Sequence, residues 1–594
     1  MPQPASGPAA SGAAASDAAA DDVAASDGAS ASAGTQPIDS PTSPGSVSQN
    51  GAASHNGAAS QNGAGSPVPV TTQPGSGKSG GRWSAGAVLG VIVATLRRHW
   101  IASILVAGGI VMRVITQLAY HPAIVYIDTL KYLYGAWPGS DPIAYKIPLK
   151  MILKLGGDLG TVEAVQHLLG LAMAVTLYAV IVRRGGPRWL GAIAMVPVLF
   201  DGYQLQAEAM IMPDVWFEAL IVAGLAVLLW NKRPTVQTLI FGAFLLGGST
   251  GVRQVGEIMI VPALVLVIAL GGGLAKMLVN ATAVIIAFVL AIVLYMGASY
   301  ALTKNFFISY SSSSLTYGRM AAVVDCATIK LQAPEKLLCP TKWEQAQGPD
   351  WLEHSVKGPL RELDSKLPAN LVADRAKILS HFNHAVERQQ PFRVAVAVLK
   401  DSVKLFAVTR KTSPGDTPIW RWQFHGYFPT YGKYIFTKYD PTLHREAIYI
   451  TLPHKHAQPL ASSYGGAPTV NVPLARFLRS YQLNGGYTPG PLLALFTLFG
   501  LIGSVLLLFR RRLSETGRDL SVACLTFFTG AVAVLGMSDV FEFSWRYQLP
   551  ALVTLPAAGA LGVAVILAAI RRRREPVAAQ PASERAPELA APAQ

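Results

Sequence analysis

The chain has 594 residues, of which 51% are hydrophobic and only 14% are charged. Soluble domains carry roughly 25% charged residues, so this composition excludes a string of ordinary soluble domains. The formal net charge of +15 would suggest a nucleic-acid-binding protein if the basic residues formed one patch or stripe. They stand instead beside apolar runs, as at Arg97-Arg98, Arg183-Arg184 and Lys232-Arg233. That pattern is typical of short cytoplasmic loops in membrane proteins and argues against a nucleic-acid partner.

Both ends of the chain differ in composition from the rest. Residues 1–80 are rich in Ala, Ser, Gly, Asp and Pro and almost lack large apolar side chains. Such a segment cannot bury enough apolar surface to offset the entropy lost on ordering. We therefore predict disordered cytoplasmic tails over 1–80 and 575–594. The first residues carry no signal-peptide pattern, so the first hydrophobic span would act as the membrane anchor.

The region between the tails contains a series of hydrophobic runs, which are read against a bilayer core of roughly 30 Å. They predict about ten transmembrane helices, with approximate bounds Trp100–Ala119, Val162–Val182, Trp189–Leu199, Val215–Trp230, Val236–Ser249, Ile258–Leu270, Met277–Tyr300, Leu492–Phe509, Leu520–Leu535 and Tyr547–Ile570. The third run is short and needs part of the following polar segment to complete a crossing. With a cytoplasmic N-terminus, every basic cluster falls on the cytoplasmic side, including Arg571–Arg574.

The predicted fold is a polytopic α-helical membrane protein in two transmembrane modules, 81–301 and 491–574. One large mixed extracytoplasmic domain, 302–490, lies between them. In the first outer loop, 120–161, the segment Ile143–Leu155 interleaves apolar residues with lysines, which is typical of a helix lying in the membrane interface.

Two cysteines of the predicted outer domain, Cys326 and Cys339, could form a disulfide outside the cytoplasm. They could equally stay unpaired, because spacing alone does not fix the geometry that a disulfide needs.

Charged residues near membrane spans are costly and often functional, and the predicted topology gathers five of them on the outer side. Asp128 follows the first span, Glu208 and Asp214 bracket the turn between the third and fourth, and Arg253 and Arg546 precede the sixth and tenth. Arginine forks bind phosphate, and a carboxylate can accept a proton from an attacking hydroxyl. The cluster therefore predicts a site for a lipid-linked phosphate.

The order of these features resembles the GT-C superfamily of polytopic glycosyltransferases. It is most similar to actinobacterial members related to the protein mannosyltransferases and phospholipid carrier-dependent glycosyltransferases. The matching segments are Tyr126–Tyr132, Val165–Leu171, Arg183–Arg188, Gln206–Asp214, Gly251–Gly256, Gly318–Pro340 and Arg546–Pro550. The resemblance covers Trp83 to Arg574. The first-loop acid lacks the acidic neighbour of many mannosyltransferases, and the outer domain is not a β-trefoil, so the donor and the acceptor stay open.

The resemblance implies an inverting transfer of a sugar, of the hexosyl or mannosyl type, from a polyprenyl-phosphate donor at the outer leaflet. Asp128 would act as general base on an acceptor hydroxyl, and Arg253 and Arg546 would hold the leaving phosphate. Asp214 or Glu208 would orient the acceptor or the sugar. The acceptor could be a protein, a glycan or a lipid. No cofactor is required, and the outer acids could bind a divalent cation or act without one.

The same residues also have structural interpretations. Asp128 could cap the interface helix, the two arginines could anchor at the headgroups, and Glu208 and Asp214 could keep a wet turn out of the bilayer. The aromatic run around Trp420 could form a domain core or a sugar platform.

Two other functions compete with glycosyl transfer. A transporter or flippase would place its site near the bilayer midplane, often in repeated halves, and the sequence has few mid-span charges and no matching halves. A non-catalytic envelope assembly protein would need the outer domain but not Asp128.

Overall fold

The computed structural model describes residues 85–137, 141–304, 306–309, 312–366, 374–441, 444–453, 455–460 and 464–574. The predicted tails 1–80 and 575–594 lie outside the described residues. The chain divides into two compact units, 25–98 and the remainder. In the smaller unit the structure describes helix α1, Ala85–Arg98, an apolar helix that ends in Arg97 and Arg98.

The larger unit begins with ten helices that form most of the N-terminal module. They are α2 Trp100–Ala119, α3 Ile127–Leu133, α4 Lys146–Lys154, α5 Leu159–Arg183, α6 Arg188–Phe200, α7 Gly202–Ala209, α8 Asp214–Leu229, α9 Val236–Thr250, α10 Ile260–Leu270 and α11 Leu274–Thr303. A 3-10 segment, Gln254–Met259, precedes α10. The start of α5 shows how the sequence sets a boundary, because the Asp158 side chain accepts a hydrogen bond from the Thr161 amide (2.8 Å) and caps the helix.

The following segment contains helices and short strands before the chain returns to apolar helices. The helices are α12 Ser312–Val323, α13 Lys342–Gln347, α14 Pro349–His354, α15 Pro359–Lys366, α16 Arg375–Gln389, α17 Pro391–Lys404 and α18 Val472–Leu483. Strands β2 Ile435–Asp440, β3 Arg445–Ile450 and β4 Gln458–Pro459 form an antiparallel sheet in that order. Strand β1, Tyr120–His121, pairs antiparallel with β5, Thr469–Val470. The last described helices are α19 Gly490–Val505, α20 Glu515–Phe541 and α21 Pro550–Arg574.

Six described helices are long and apolar enough to cross a bilayer: α2, α5, α11, α19, α20 and α21. The protein is therefore membrane-embedded. The other four predicted spans correspond to α6, α8, α9 and α10, which have 13, 16, 15 and 11 residues. Each is shorter than the roughly 20 residues that a perpendicular crossing requires, so the count of ten spans stays a prediction.

Close helix packing in the C-terminal module depends on glycine. Gly503 on α19 faces Gly562 on α21, and a Cβ atom at Gly503 would lie 2.5 Å from the Gly562 Cα. A Cβ atom at Gly562 would lie 2.0 Å from the Phe499 carbonyl oxygen. Small residues allow helices to approach this closely where no hydrophobic effect drives them together in lipid.

Contacts between helix ends define two faces of the membrane body. At one face, Arg184 at the end of α5 donates to the carbonyls of Asn231, after α8, and Asp519, near the start of α20 (both 3.0 Å). Lys232 pairs with the Asp519 carboxylate (3.2 Å). We call this the basic face. The opposite ends of α8 and α20 meet at the other face, which we call the site face.

The segment predicted as one domain, 302–490, is divided between two hydrophobic cores. Its N-terminal part has a core of its own, which includes Tyr317, Leu352, Leu363 and Phe382. A disulfide joins Cys326 to Cys339 beside this core. The part from Leu405 to Leu478, by contrast, packs into the main core of the membrane body. The segment thus comprises a helical part with its own core, which we call the helical domain, followed by a part that packs on the membrane body.

The predicted interface helix corresponds to α4. Its Leu149 is fully buried, whereas Ile147 and Met151 are exposed. The lysines alternate with these apolar residues, as expected for a helix at a membrane surface.

Candidate functional site

The backbone brings the first loop and the turn before α8 together. The Ile124 amide donates to the Ala209 carbonyl (3.0 Å), and the Ile211 amide donates to the Ile124 carbonyl (3.1 Å). The Thr129 hydroxyl on α3 donates to the Ile211 carbonyl (3.0 Å). These bonds fix α3, which carries Asp128, against the N-terminus of α8, which begins at Asp214.

Arg546, in the connection between α20 and α21, joins the two aspartates. Its Nε and Nη2 donate to the Asp214 carboxylate at 2.9 to 3.1 Å. Its Nη1 donates to Asp128 Oδ2 at 2.8 Å. Asp214 and Arg546 are both almost fully buried, and a buried charge requires such partners. One guanidinium therefore holds both predicted carboxylates of the site.

Arg253 completes the cluster from the end of α9. Its Nη1 pairs with Asp214 Oδ1, and its guanidinium carbon lies 4.5 Å from the centroid of the Tyr547 ring. Its side chain remains 17% exposed, so it is more accessible than the Asp214 carboxylate that it contacts. The site thus brings together four of the five residues that the sequence predicted.

Lys131 and Asp141 extend the cluster on the side of the first loop. Lys131 Nζ lies 3.0 Å from Asp128 Oδ1 and 2.5 Å from Asp141 Oδ2. Burial tends to raise the pKa of Asp128, but Lys131 and Arg546 outweigh it and hold that pKa well below its usual range. Asp128 is therefore a carboxylate. It lies in the first turn of α3, but its side chain contacts these two cations rather than capping the helix.

A small cavity adjoins this charge cluster. Its wall is mostly apolar, and its two charged lining residues are Asp214 and Arg546. The lining residues are Tyr203, Gln206, Ala207, Met210, Met212, Asp214, Trp422, Trp545, Arg546 and Leu549. An apolar cleft with a few convergent polar groups is the usual form of a small-molecule binding site.

The aromatic run of the sequence supplies one wall of the cavity. Trp422 is buried, and the Arg546 guanidinium carbon lies 5.2 Å from the centroid of its ring. Tyr126 packs against Trp422 at 5.1 Å and against Tyr431 at 4.7 Å between ring centroids. Trp420, the first residue of the aromatic run Trp420–Tyr427, is instead 41% exposed. The aromatic run therefore contributes side chains both to the hydrophobic core and to the wall of the cavity.

Helix α14 of the helical domain brings acidic side chains to this side of the site. We use the name acidic rim for Asp350 and Glu353 of α14 together with Glu542, which follows α20. The Asp350 carboxylate lies 3.7 Å from Arg421 Nη1 and 3.4 Å from His354 Nδ1. Burial, together with Asp350 and Glu353, raises the pKa of Glu542 to about 8. Desolvation opposes a charge on His354, but Glu353 and Asp350 raise its pKa to about 10. Burial raises the pKa of Glu353 to about 7. The sequence prediction missed this rim, although the spacing of Asp350 and His354 suits an ion pair on one helix face.

Glu208 lies in a separate network. Its fully buried carboxylate accepts from Arg113 Nη2 (2.7 Å) and lies 2.9 Å from His167 Nδ1. Gln166 Nε2 donates to the carbonyls of Glu208 and Met210 (both 2.7 Å). Glu208 does not line the cavity described above. The structure thus pairs it with a buried arginine of α2 and not with the arginines that hold Asp128 and Asp214.

No set of three or more His, Cys, Asp and Glu side chains in the described part of the chain is arranged to hold a metal ion.

Comparisons with protein-family models, with curated proteins and with solved structures each found no match to this chain.

Proposed function

We propose that the protein is a membrane glycosyltransferase that moves a sugar from a polyprenyl-phosphate donor to an acceptor hydroxyl. The observation that carries this proposal is the joining of Asp128 and Asp214 by Arg546 beside a mostly apolar cavity. A phosphate needs guanidinium donors, a sugar transfer needs a carboxylate base, and an isoprenoid chain needs apolar surface. The site face supplies all three within one contiguous group of residues.

The arginines have different roles in this proposal. Nε and Nη2 of Arg546 stay with Asp214, which fixes the plane of the guanidinium. Nη1 donates only a single bond to Asp128, so a donor phosphate can replace that carboxylate. Arg253 contacts Asp214 through Nη1, and the rest of its guanidinium can donate to the same phosphate. Binding of the donor would thus release Asp128 from one of its two cations.

The released Asp128 would act as the base. The acceptor oxygen attacks the anomeric carbon, its proton passes to the Asp128 carboxylate, and the bond between that carbon and the phosphate oxygen breaks. Polyprenyl phosphate leaves with the bonding electron pair and is held by Arg253 and Arg546. Attack from the side opposite the leaving group inverts the anomeric centre. Asp214 orients the guanidinium of Arg546 and, through it, the phosphate.

The proposed architecture is GT-C-like, with about ten crossings formed by the six long helices together with α6, α8, α9 and α10. The grouping of Arg184 and Lys232 on one face supports a cytoplasmic assignment for the basic face. The site face would then lie outside, where lipid-linked sugars are presented. Substrate partners would be the donor lipid and an acceptor that is a protein, a glycan or a lipid.

The test is transfer of a radiolabelled sugar from polyprenyl-phosphate donors in membranes that contain the wild-type chain or Asp128→Asn at matched expression. Removal of a general base lowers the rate by roughly 10² to 10⁴-fold, so transfer should nearly disappear. Asp158→Asn is the matched control, because it changes an acid of the same loop that caps α5 and asparagine also caps helices.

Each outcome has a distinct meaning. Loss of transfer in Asp128→Asn alone supports both the activity and the base. Persistent transfer would move the base elsewhere, with Asp214 the next residue to test. Absence of transfer by folded wild-type protein with every donor would overturn the proposal and favour a transporter, a flippase or an assembly protein.

A further inference from the structure

Helix α17 carries an exposed apolar stripe. Phe392, Leu399 and Val403 are 79%, 67% and 54% exposed, and their spacing places them on one side of the helix. Asp401, on the opposite side, is buried and pairs with Arg319 of α12. Contiguous exposed apolar surface of this kind marks an interaction site, so this stripe requires a partner.

The C-terminal end of α17 lies at the level where two long apolar helices meet the site face. The Ser402 hydroxyl donates to Asp539 Oδ2 (2.7 Å), two residues before the end of α20. Just beyond α17, the Ala407 carbonyl lies so close to Gly490 that a Cβ atom there would be 2.2 Å away. Gly490 is the first residue of α19. The C-terminal end of α17 is therefore attached to the ends of α19 and α20, while its Val394 packs on the core of the helical domain.

Further exposed apolar residues follow the stripe along the chain and occur on α19, the long apolar helix that meets the end of α17. Val408, which follows α17, is 71% exposed, and Leu492 and Leu495 on the first turns of α19 are also exposed. Lys400 is exposed beside Leu399 on the flank of the stripe. A helix with an apolar face and a basic flank binds in the headgroup region of a bilayer.

From this geometry we propose that α17 lies in the membrane interface on the site face, with Phe392, Leu399 and Val403 inserted among the lipids. The occupant of the stripe is the phospholipid leaflet itself. The ion pair between Asp401 and Arg319, and the bond from Arg319 to the Asp539 carbonyl (3.0 Å), couple α17 to α12 and α20. Because α12 packs directly on α14, lipid contact along α17 also sets the position of the acidic rim relative to the bilayer.

The test uses the full chain with a nitroxide spin label at Leu399→Cys, reconstituted in phosphatidylcholine and phosphatidylglycerol nanodiscs that each hold one copy. The native thiols do not interfere, because Cys326 and Cys339 are bonded to each other and Cys524 is buried. Leu495→Cys on α19 serves as the lipid-facing control. Lys377→Cys on α16, whose side chain is 75% exposed, serves as the water-facing control. Collision of the label with oxygen and with a water-soluble nickel chelate is measured by power saturation.

A label in the interface collides more often with oxygen and less often with nickel than the label at residue 377. Its ratio of oxygen collisions to nickel collisions therefore moves toward the ratio measured at residue 495. A ratio equal to that at residue 377 would overturn the proposal, because the stripe would then face water. Protection from both reagents would also overturn it, because protein of the same chain would cover the stripe. Since each nanodisc holds one copy, a second chain cannot produce the lipid-like result.

Discussion

Arg546 binds Asp214 through two nitrogens, with Nε 3.1 Å from both carboxylate oxygens and Nη2 2.9 Å from Oδ2. Asp128, by contrast, receives one bond from Nη1. The two aspartates are therefore not equivalent. Asp214 fixes the guanidinium, whereas Asp128 is held by a single bond from it.

This geometry predicts that Arg546→Lys impairs the proposed sugar transfer even though the positive charge is kept. An ammonium group cannot bind Asp214 in two places and still face Asp128 or a phosphate. We expect the rate to fall by about tenfold or more, which corresponds to at least about 1.4 kcal/mol in the transition state. Initial rates with saturating donor measure this effect.

The matched control is Arg184→Lys, which changes another buried arginine, at the basic face, whose bonds are made to carbonyls. It should affect stability but leave the rate per folded molecule near the wild-type value. Equal loss of rate in both variants would mean that Arg546 acts through the fold alone.

Much of the site could be predicted because hydropathy locates the ends of helices. Asp128, Asp214, Arg253 and Arg546 all lie where an apolar run stops or starts. Ends on the same side of a membrane lie at a similar depth, so these residues can meet. The spacing of Cys326 and Cys339 left the disulfide open, and only the three-dimensional structure brings the two residues together.

Three features could not be predicted because they depend on tertiary packing. The polar segment between the third and fourth predicted spans forms α7, and this helix directs Glu208 to Arg113 and His167, away from Asp214. The acidic rim depends on how α14 packs over the site face, and the hydrophobic periodicity of the sequence does not reveal this packing. Hydropathy likewise does not show that the segment 302–490 divides between two hydrophobic cores.

Lys131→Met should shift the pH dependence of transfer. Lys131 and Arg546 lower the pKa of Asp128 against the opposing effect of burial, so removal of Lys131 raises that pKa. A base must be deprotonated to act, and the acidic limb of the rate profile should therefore move to higher pH. Rates measured from about pH 2 upward would show the shift, with Lys150→Met on α4 as the control. An unchanged limb would mean that Asp128 does not limit the rate as a base.

The pair of Arg113 and Glu208 should matter for stability more than for chemistry. Removing one partner of a buried ion pair typically costs about 3 to 5 kcal/mol, because the other charge is left without compensation. We therefore expect Glu208→Gln to lower the thermal stability strongly, and the rate per folded molecule to change little.

A double-mutant cycle tests this interpretation. Arg113→Met combined with Glu208→Gln should be less destabilising than the sum of the two single changes, because no buried charge remains unpaired. Additive effects would exclude a direct interaction. If the transfer rate falls much more than the fraction of folded protein, Glu208 takes part in the reaction.

The acidic rim predicts a stability that decreases as the pH rises. Burial, with Asp350 and Glu353, raises the pKa of Glu542 to about 8, whereas Arg319 and His354 oppose this. A carboxyl whose pKa is higher in the folded state holds its proton more tightly there. Its stabilising contribution is thus complete below its unfolded pKa of roughly 4.3 and is lost as the pH passes about 8. Glu542→Gln should flatten the dependence of the melting temperature on pH between 5 and 8.

His354 provides an internal check on this prediction. Its pKa is raised to about 10, so its own stabilising contribution is lost only as the pH rises from about 6.5 toward 10. The Glu542→Gln variant should therefore keep the fall in stability above pH 8 while losing part of the slope below it. Glu362→Gln changes a half-exposed acid of α15 and should leave the whole profile as in the wild type. If Glu542→Gln and Glu362→Gln give the same profile, Glu542 is ionised in the folded protein near neutral pH, and α14 does not enclose it as the structure describes.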